Sequence, residues 1–360
     1  MKSNPLEEAL HLGRPSFRKN LQGSQRLSPE QIREWESWRF GLFLHFGMST
    51  YDGVEHSAGT APATLYNPTH LDPDQWVSIA RDAGMRYAVL TVKHTSGFCL
   101  WPSKHTGYHV GNSPNPTDVV EKFRDACERR GVKPGLYYAQ WDNHHTFGSV
   151  TPRNGPVRPD AFHYAYTTPA YWDFQRRQLE ELLENYGSWA EIWIDIPLCM
   201  PRGIREEQYR WVTEAQPRAV YVANGSIYNH GTHSSHALDA FKQHVWPTDV
   251  VTLERNLPPS FGHEGTFEME GNRHYLPAEV CDTLGREWFY GKDDEPRSQD
   301  ELLGMALIAR SRNANLLLNV PPAPDGRISE RDRKALFQWA RRVEQSASAQ
   351  ESPVDSLVRP

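Results

Sequence analysis

Short apolar runs that end in polar or aromatic residues alternate along this chain with longer segments of helical periodicity. The run EIWIDIP at residues 191–197 shows the pattern best, because a carboxylate ends it and a proline stops it. Runs of this length and composition are typical of strands buried on both faces. Strands are predicted at residues 40–47, 87–94, 134–142, 191–195 and 315–320, with weaker candidates at 219–225 and 250–254.

The segments between these runs carry the signals of helices. One helix is predicted to start near Asp72 and to end at Gly84. A second, at residues 117–130, is followed by Gly131, since glycine is suited to a helix C-terminal cap. Further helices are predicted at residues 168–186 and 205–214. Strand and helix therefore alternate, which indicates a parallel α/β sheet.

Two α/β architectures fit this alternation. An open doubly wound sheet usually binds a nucleotide through a glycine-rich turn after its first strand, yet no GxGxxG or P-loop sequence follows a predicted strand. His, Trp, Asp and Glu follow the strands instead, so a (β/α)8-type, TIM-like barrel with irregular later units is predicted. We expect it at residues 28–344, after an irregular lead-in at 1–27 and before a disordered tail at 345–360.

Composition narrows the classes of protein. The net charge of -6 and the lack of a basic stripe argue against a nucleic-acid partner. No apolar run approaches a membrane span, and the first residues lack the apolar core of a signal peptide, so a cytoplasmic protein without a membrane partner is expected. The four cysteines are scattered and are expected to be reduced and buried. Twelve Trp and fifteen Tyr offer platforms for sugar rings, although most belong to the core.

Asp195 is the leading candidate for a catalytic residue. It ends an apolar strand, and barrel enzymes place their reactive groups at the carboxyl ends of strands. An ionised carboxylate there is costly unless it is paired, hydrogen-bonded or faces a cavity. The alternative is a structural aspartate that caps the next loop. Strand alternation puts Trp193 on the same face as Asp195.

Six motifs follow one another in a fixed order over residues 38–328. They read HFGMSTYDG, LYNPTHLDPDQW, KHTSGFCLWPSKHT, GLYYAQWDNHH, EIWIDIP and LLLNVPPAPDG. In order and spacing the chain resembles family 29 of the glycoside hydrolases, the retaining α-L-fucosidases, and is most similar to the branch that cleaves 1,3- or 1,4-linked fucose. The resemblance implies a glycosidase that removes α-L-fucose from an oligosaccharide or glycoconjugate and needs no metal or other cofactor.

The resemblance also implies roles for the carboxylates. Retaining glycosidases use one carboxylate as nucleophile and a second as acid and then base. Asp195 matches the nucleophile of the family. Glu254, which ends the run at 250–254, is the preferred acid/base, and Glu279 is the competitor in a loop that shapes the pocket. Glu287 and Glu191 are weaker candidates.

The sugar contacts follow from the same resemblance. Three histidines, His45, His94 and His144, are implied as donors to the hydroxyls of fucose, and each without that context is more often a structural or surface histidine. The implied pocket-lining groups are Tyr137, Trp141, Trp193 and Trp288. Trp193 is equally suited to plain filling of the barrel.

Several positions depart from the family pattern. The usual Lys-His-His-Asp-Gly-Phe reads KHTSGF here, so Thr95 and Ser96 replace a histidine and an aspartate. Ile196 follows Asp195 where the family usually has glycine, an Arg-His pair has become Asn143-His144, and a Glu-Trp pair has become Glu55-His56. We expect a changed or enlarged substrate preference from these departures.

Two other readings stay open. A metal-dependent barrel hydrolase could gather His45, His94, His144, His145 and Asp195 around an ion, although no HxH or HExxH motif is present. A sugar-binding barrel without catalysis would be compatible with the altered KHTSGF segment. The family commonly adds a β-sandwich, for which this chain leaves no room, so a single catalytic domain is expected. The resemblance leaves a homo-oligomer open.

Overall fold

The computed structural model describes residues 23–145, 168–225, 246–258 and 265–351. Its ten strands are β1 (Phe40–Leu44), β2 (Tyr87–Lys93), β3 (Lys133–Ala139), β4 (Glu191–Asp195), β5 (Val220–Ala223), β6 (Val251–Glu254), β7 (Thr266–Met269), β8 (Asn272–Tyr275), β9 (Ala278–Thr283) and β10 (Ala314–Asn319). Eight of these form one parallel sheet in the order β5-β4-β3-β2-β1-β10-β9-β6, and β7 and β8 form an antiparallel hairpin. The predicted (β/α)8-type barrel is confirmed.

Eight α-helices accompany the sheet in the described part of the chain. They are α1 (Pro29–Trp38), α2 (Ser49–Asp52), α3 (Pro73–Asp82), α4 (Val119–Arg130), α5 (Pro169–Asn185), α6 (Arg202–Ala215), α7 (Gln299–Ser311) and α8 (Glu330–Glu351). Side chains of Asp72, Asp118 and Thr168 accept backbone N–H groups at the starts of α3, α4 and α5, which are the usual N-cap residue types. No helix in the described part of the chain is long and apolar enough to cross a membrane.

The barrel closes between β5 and β6 largely through side chains. One backbone bond, from the Asp249 N–H to the Tyr221 carbonyl at 2.8 Å, joins the two strands near their starts. At their carboxyl ends the Thr252 hydroxyl accepts the Gly225 N–H at 3.2 Å and donates to Asn224 Oδ1 at 2.8 Å. The relative placement of the last residues of these strands therefore depends on polar side chains.

The barrel has an inner core and an outer core. The inner core contains Phe43, Tyr137 and Trp193, whereas neighbouring positions on the same strands point outward to the helices. At the amino end of the barrel Trp35 of α1 donates its indole N–H to buried Glu191 at 2.8 Å. Helix α1 therefore plugs one end of the barrel, which leaves the carboxyl end for a site.

Most predicted elements are present, and a few are not as expected. The sequence patterns do not predict the hairpin of β7 and β8 or the helices α1, α2, α7 and α8. They do not predict β9 either, since it contains two carboxylates in six residues, and Glu279 lies on this buried strand rather than in a loop. Helix α6 begins at Arg202, before the predicted start at 205. Helix α8 continues through Glu351, past the predicted boundary at 344, and residues 1–22 and 352–360 lie outside the described residues. All four cysteines are free and buried, as predicted.

Candidate active site

A cavity of about 290 Å³ opens at the carboxyl ends of the strands. Seven of the candidate catalytic and substrate-binding residues line it: His45, His94, Tyr137, Trp193, Asp195, Glu254 and Trp288. They come from six strands or the segments that follow them, so the parallel sheet is what gathers them. Phe43, Glu55, His56, Ile196, Pro197, Leu198, Asn224 and Cys281 complete the lining among the described residues.

Asp195 ends β4 with both carboxylate oxygens hydrogen-bonded. Its Oδ2 accepts the Tyr137 hydroxyl at 2.5 Å, and its Oδ1 accepts the Ile196 N–H at 2.9 Å and the Asn224 side-chain N–H at 2.8 Å. Three donors therefore fix the orientation of this carboxyl group in the cavity. Burial, followed by the charge of Asp195, raises the pKa of Tyr137 well above its usual value, so the phenol remains a donor.

Glu254 ends β6 and faces Asp195. The pKa of Glu254 is raised to about 7, first by burial and then by the negative charge of Asp195. Asn224 Nδ2 donates to Asp195 Oδ1 at 2.8 Å and to Glu254 Oε2 at 3.0 Å. These two oxygens therefore lie no more than about 6 Å apart, which matches the carboxyl separation of roughly 5 to 5.5 Å in retaining glycosidases better than the wider gap of inverting ones.

His45 is fixed in one tautomer by a residue from the opposite end of the chain. The side-chain N–H of Asn319 donates to the Trp288 carbonyl at 2.7 Å, which turns Asn319 Oδ1 toward His45 Nδ1 at 2.8 Å. Burial lowers the pKa of His45 to about 3, so the ring is neutral and Nδ1 carries its proton. Nε2 is then an acceptor, which corrects the expectation that His45 donates to the sugar.

His94 lies beside His45 and stacks on Tyr137 with ring centroids 5.6 Å apart. Burial lowers its pKa well below the usual value, with the neighbouring histidines adding to the effect. The hydroxyl of Thr95, which stands where the family pattern has a second histidine, contacts His94 Nδ1 at 3.2 Å. Thr95 therefore orients the histidine that remains.

Ile196 adopts a left-handed backbone conformation, with φ 51° and ψ 47°. This region is costly for a residue with a Cβ, and most of all for a β-branched one. The conformation explains why the family pattern has glycine after the nucleophile. It also aims the Ile196 N–H at Asp195 Oδ1, so the strained residue contributes a hydrogen bond to the carboxylate.

Three residues expected in the site do not line the cavity. Trp141 packs with Tyr171 and Phe174 and donates its indole N–H to Asn143. The ring of His144 stacks on Tyr108, and its Nδ1 contacts the Gly59 carbonyl at 2.6 Å. Glu279 lies deeper in the barrel. These positions reflect how the chain turns after β3 and the inward register of β9, neither of which the local sequence specifies.

Glu279 supports the cavity from below. Its carboxylate accepts the Trp193 indole N–H at 3.0 Å and the Tyr87 hydroxyl at 2.6 Å. Burial raises the pKa of Glu279 to about 7 and that of the adjacent Glu191 well above its usual value. The pair therefore holds at least one proton, and Glu279 orients the indole of a cavity-lining tryptophan.

Sequence reasoning assigned no role to several residues of the cavity. Glu55 lies within 3.4 Å of His56, and burial raises its pKa, so a third carboxyl stands near Asp195 and Glu254. Asn224 connects the two principal carboxylates. It follows β5 directly, so the strand-end rule that identified Asp195 would also have identified Asn224.

Glu287, a weaker candidate for the acid/base, is exposed and lies outside the cavity lining. Within the described residues, no group of three or more His, Cys, Asp or Glu side chains is arranged to hold a metal ion.

Comparisons with known proteins agree with this arrangement. The family model described as Alpha-L-fucosidase matches residues 60–345. Alpha-L-fucosidase 1 of Arabidopsis thaliana is 31% identical over 336 residues, which cover 87% of this chain and 60% of that protein. Tissue alpha-L-fucosidase of Rattus norvegicus is 26% identical over 82% of this chain and 58% of its own length. The chain thus spans less than two thirds of these relatives.

Solved structures show the same fold. A glycoside hydrolase 29 family member from an unknown rumen bacterium matches with a TM-score of 0.67 and 27% identity, over 89% of this chain and 57% of that one. Alpha-L-fucosidase isoenzyme 1 from Paenibacillus thiaminolyticus matches with a TM-score of 0.67 over 92% of this chain and 79% of that one, at 24% identity.

Proposed function

We propose that this chain, which belongs to the alpha-L-fucosidase family, hydrolyses terminal α-L-fucose from oligosaccharides or glycoconjugates with retention of configuration. One observation carries the mechanism: Asp195 and Glu254 share a single donor, Asn224, at 2.8 and 3.0 Å. Two carboxyl groups so close together at the end of a barrel suit a double displacement.

In the first step the Asp195 carboxylate attacks the anomeric carbon of fucose. The bond from that carbon to the glycosidic oxygen breaks, and the leaving oxygen takes the proton of Glu254. In the second step Glu254, now a carboxylate, takes a proton from water. The water oxygen attacks the same carbon and releases Asp195, so two inversions give net retention.

The surroundings suit these two roles. Burial and the charge of Asp195 hold the pKa of Glu254 at about 7, so Glu254 keeps a proton to donate under neutral conditions. Donors from Tyr137, Asn224 and Ile196 hold the Asp195 side chain in place for attack. The two carboxyl groups thus differ in their hydrogen-bond partners, and the mechanism gives them different roles.

The proposal has three finer parts: the linkage that is cleaved, the oligomeric state and the cellular location. Cleavage of 1,3- or 1,4-linked fucose is supported by the FCLWPS, WDNH and NVPP sequences, which resemble that branch of the family. The altered Thr95, Ser96 and Ile196 bear on which aglycone is accepted. A homo-oligomer and a cytoplasmic location stay predictions. Light scattering of the purified chain measures the first.

The experiment that tests the function is hydrolysis of an aryl α-L-fucoside and of a panel of fucosylated oligosaccharides. Asp195→Ala should fold normally and lose at least about a thousandfold in kcat. Glu254→Ala should retain more activity on the aryl fucoside than on natural glycans, because a good leaving group needs no proton. Glu287→Ala, an exposed glutamate, is the matched control.

The same experiment separates the alternatives. Proton NMR of the first product should show the α anomer of fucose, as retention requires. Loss of activity with a chelator would favour the metal-dependent hydrolase. Fucose binding without release from any substrate would favour a binding barrel, and a wild-type rate for Asp195→Ala would refute the mechanism.

A further inference from the structure

We propose that Asn224 is a positioning residue that sets the spacing of the two carboxylates and selects the oxygen of Glu254 that carries the transferable proton. The proposal rests on the function proposed for Asp195 and Glu254. In the proposed reaction Asn224 neither bonds to the sugar nor transfers a proton. It acts through the two carboxyl groups that it joins.

The orientation of the Asn224 amide is fixed by its neighbours. The Thr252 hydroxyl accepts the backbone N–H of Gly225 at 3.2 Å, which leaves the hydroxyl proton to donate to Asn224 Oδ1 at 2.8 Å. Thr252 is fully buried, so water does not compete for this bond. With Oδ1 bound to Thr252, Asn224 Nδ2 faces the cavity.

Both protons of that nitrogen are used. One goes to Asp195 Oδ1 at 2.8 Å and the other to Glu254 Oε2 at 3.0 Å. An oxygen that accepts this bond is a poor place for a second proton, so the acid proton of Glu254 resides on Oε1. Asn224 therefore determines which oxygen of the acid presents its proton to the substrate.

The position of Asn224 in the fold makes it the natural spacer. Asp195 ends β4, Asn224 follows β5, and Glu254 ends β6, so the amide lies between neighbouring strand ends. Strands β4 and β5 share a regular ladder, whereas β5 meets β6 near the site through the side chains of Thr252 and Asn224. The distance between the carboxylates thus depends on this bridge more than on the backbone.

The test measures the titration of Glu254 and the rate separately. Carbon NMR of enzyme with labelled glutamate carboxyls, assigned with Glu254→Gln, reports the pKa of Glu254 without any turnover. The bond from Asn224 lowers that pKa, so Asn224→Ala should raise it. Thr252→Val, which frees the amide to turn, should shift the pKa in the same direction by a smaller amount.

The rate provides the second readout. In Asn224→Ala, kcat on the aryl fucoside should fall by about 10- to 100-fold with KM changed less than about threefold, since misplacement affects the reacting geometry. The control is Asn256→Ala. This nearby asparagine donates to the backbone carbonyl of Glu254, at 3.2 Å, rather than to either carboxyl group, and its loss should change neither readout.

Three outcomes are decisive. A raised pKa of Glu254 in Asn224→Ala, together with the loss in kcat, supports the proposal, and Thr252→Val provides the same evidence if Asn224→Ala does not fold. An unchanged pKa in both variants overturns it, whether or not the wild type is active. A wild type that titrates as expected but cleaves no fucoside refutes the proposed function and leaves the hydrogen-bonded bridge supported.

Discussion

At the scale of single residues, the site depends on a residue held in a backbone conformation that its residue type normally avoids. Ile196 is held with positive φ although it is β-branched, and its side chain packs against the cluster formed by Trp141, Tyr171, Phe174, Cys199 and Met200. The strain is tolerated because the surrounding structure fixes the backbone on both sides. This backbone conformation directs the Ile196 N–H to the Asp195 carboxylate.

This strain predicts a reversed order of stability at position 196. Both Ile196→Ala and Ile196→Gly lose the packed side chain, but only glycine removes the cost of the left-handed conformation. We expect Ile196→Gly to have a free energy of unfolding about 1 kcal/mol higher than Ile196→Ala. Urea unfolding of the two variants gives the comparison.

The control lies two residues away. Leu198 is half-buried, lines the same cavity and has no positive φ. There the usual order should hold, with alanine more stable than glycine by about 0.5 to 1 kcal/mol. If alanine is also the more stable residue at position 196, the strain is not significant.

At the scale of elements, alternation along a strand sorts residues into layers. On β4 the inward residues are Glu191, Trp193 and Asp195, from the plugged end of the barrel to the cavity. On β9 the inward Glu279 contacts Glu191 and Trp193. Trp193 separates Glu279 from the cavity, so Glu279 cannot donate a proton to a substrate there. A carboxyl on a buried strand is thus structural or catalytic according to its layer.

The buried acid predicts an unusual pH dependence of stability. The pKa of Glu279 is about 7 in the folded protein, above its usual value, so between about pH 4.5 and 7 the folded state binds more protons than the unfolded state. This contribution is fully present below the unfolded pKa and is lost as pH rises to 7. The slope is at most about 1.4 kcal/mol per pH unit.

Glu279→Gln should remove this slope, since an amide does not titrate. Urea unfolding at pH 5, 6, 7 and 8 should show the wild type losing about 1 to 3 kcal/mol relative to the variant as pH rises. Exposed Glu287, replaced by Gln, should follow the wild type. Parallel curves for wild type and Glu279→Gln would show that the buried carboxyl is already ionised at pH 5.

At the scale of the whole molecule, the cavity exists only because seven strands converge on it. His45, Asp195 and Glu254 are separated by long stretches of chain, and each is placed by its own strand. Burial by the assembled walls then raises the pKa of Glu254 and lowers that of His45. The chemistry of each group is a property of the assembled barrel.

The assembled site predicts a pH profile for catalysis. Glu254 must be protonated to act as an acid, and its pKa is about 7, so kcat/KM for a natural glycan should fall above that pH by about tenfold per unit. Glu254→Gln should lack this limb, at a much lower rate. A profile that stays flat to pH 9 in the wild type would exclude Glu254 as the acid.

Sequence alone determined the barrel and singled out Asp195, because strand ends, helix caps and alternation are local signals. The resemblance of its motifs to a known family added His45, His94 and Glu254 as candidates for the same site. Strand β9 is not predicted, because its two carboxylates interrupt the apolar pattern. The position of Glu279 on a buried strand is therefore not predicted either.

Only the tertiary structure decided how these groups act. The tautomer of His45 depends on Asn319, which is 274 residues away. The spacing of Asp195 and Glu254 depends on Asn224 and Thr252, where β5 meets β6 and the barrel closes. These are hydrogen bonds between strands that are distant in sequence, and their partners are fixed by register and barrel closure. No local pattern encodes such a pairing, whereas burial and geometry in the folded chain specify it.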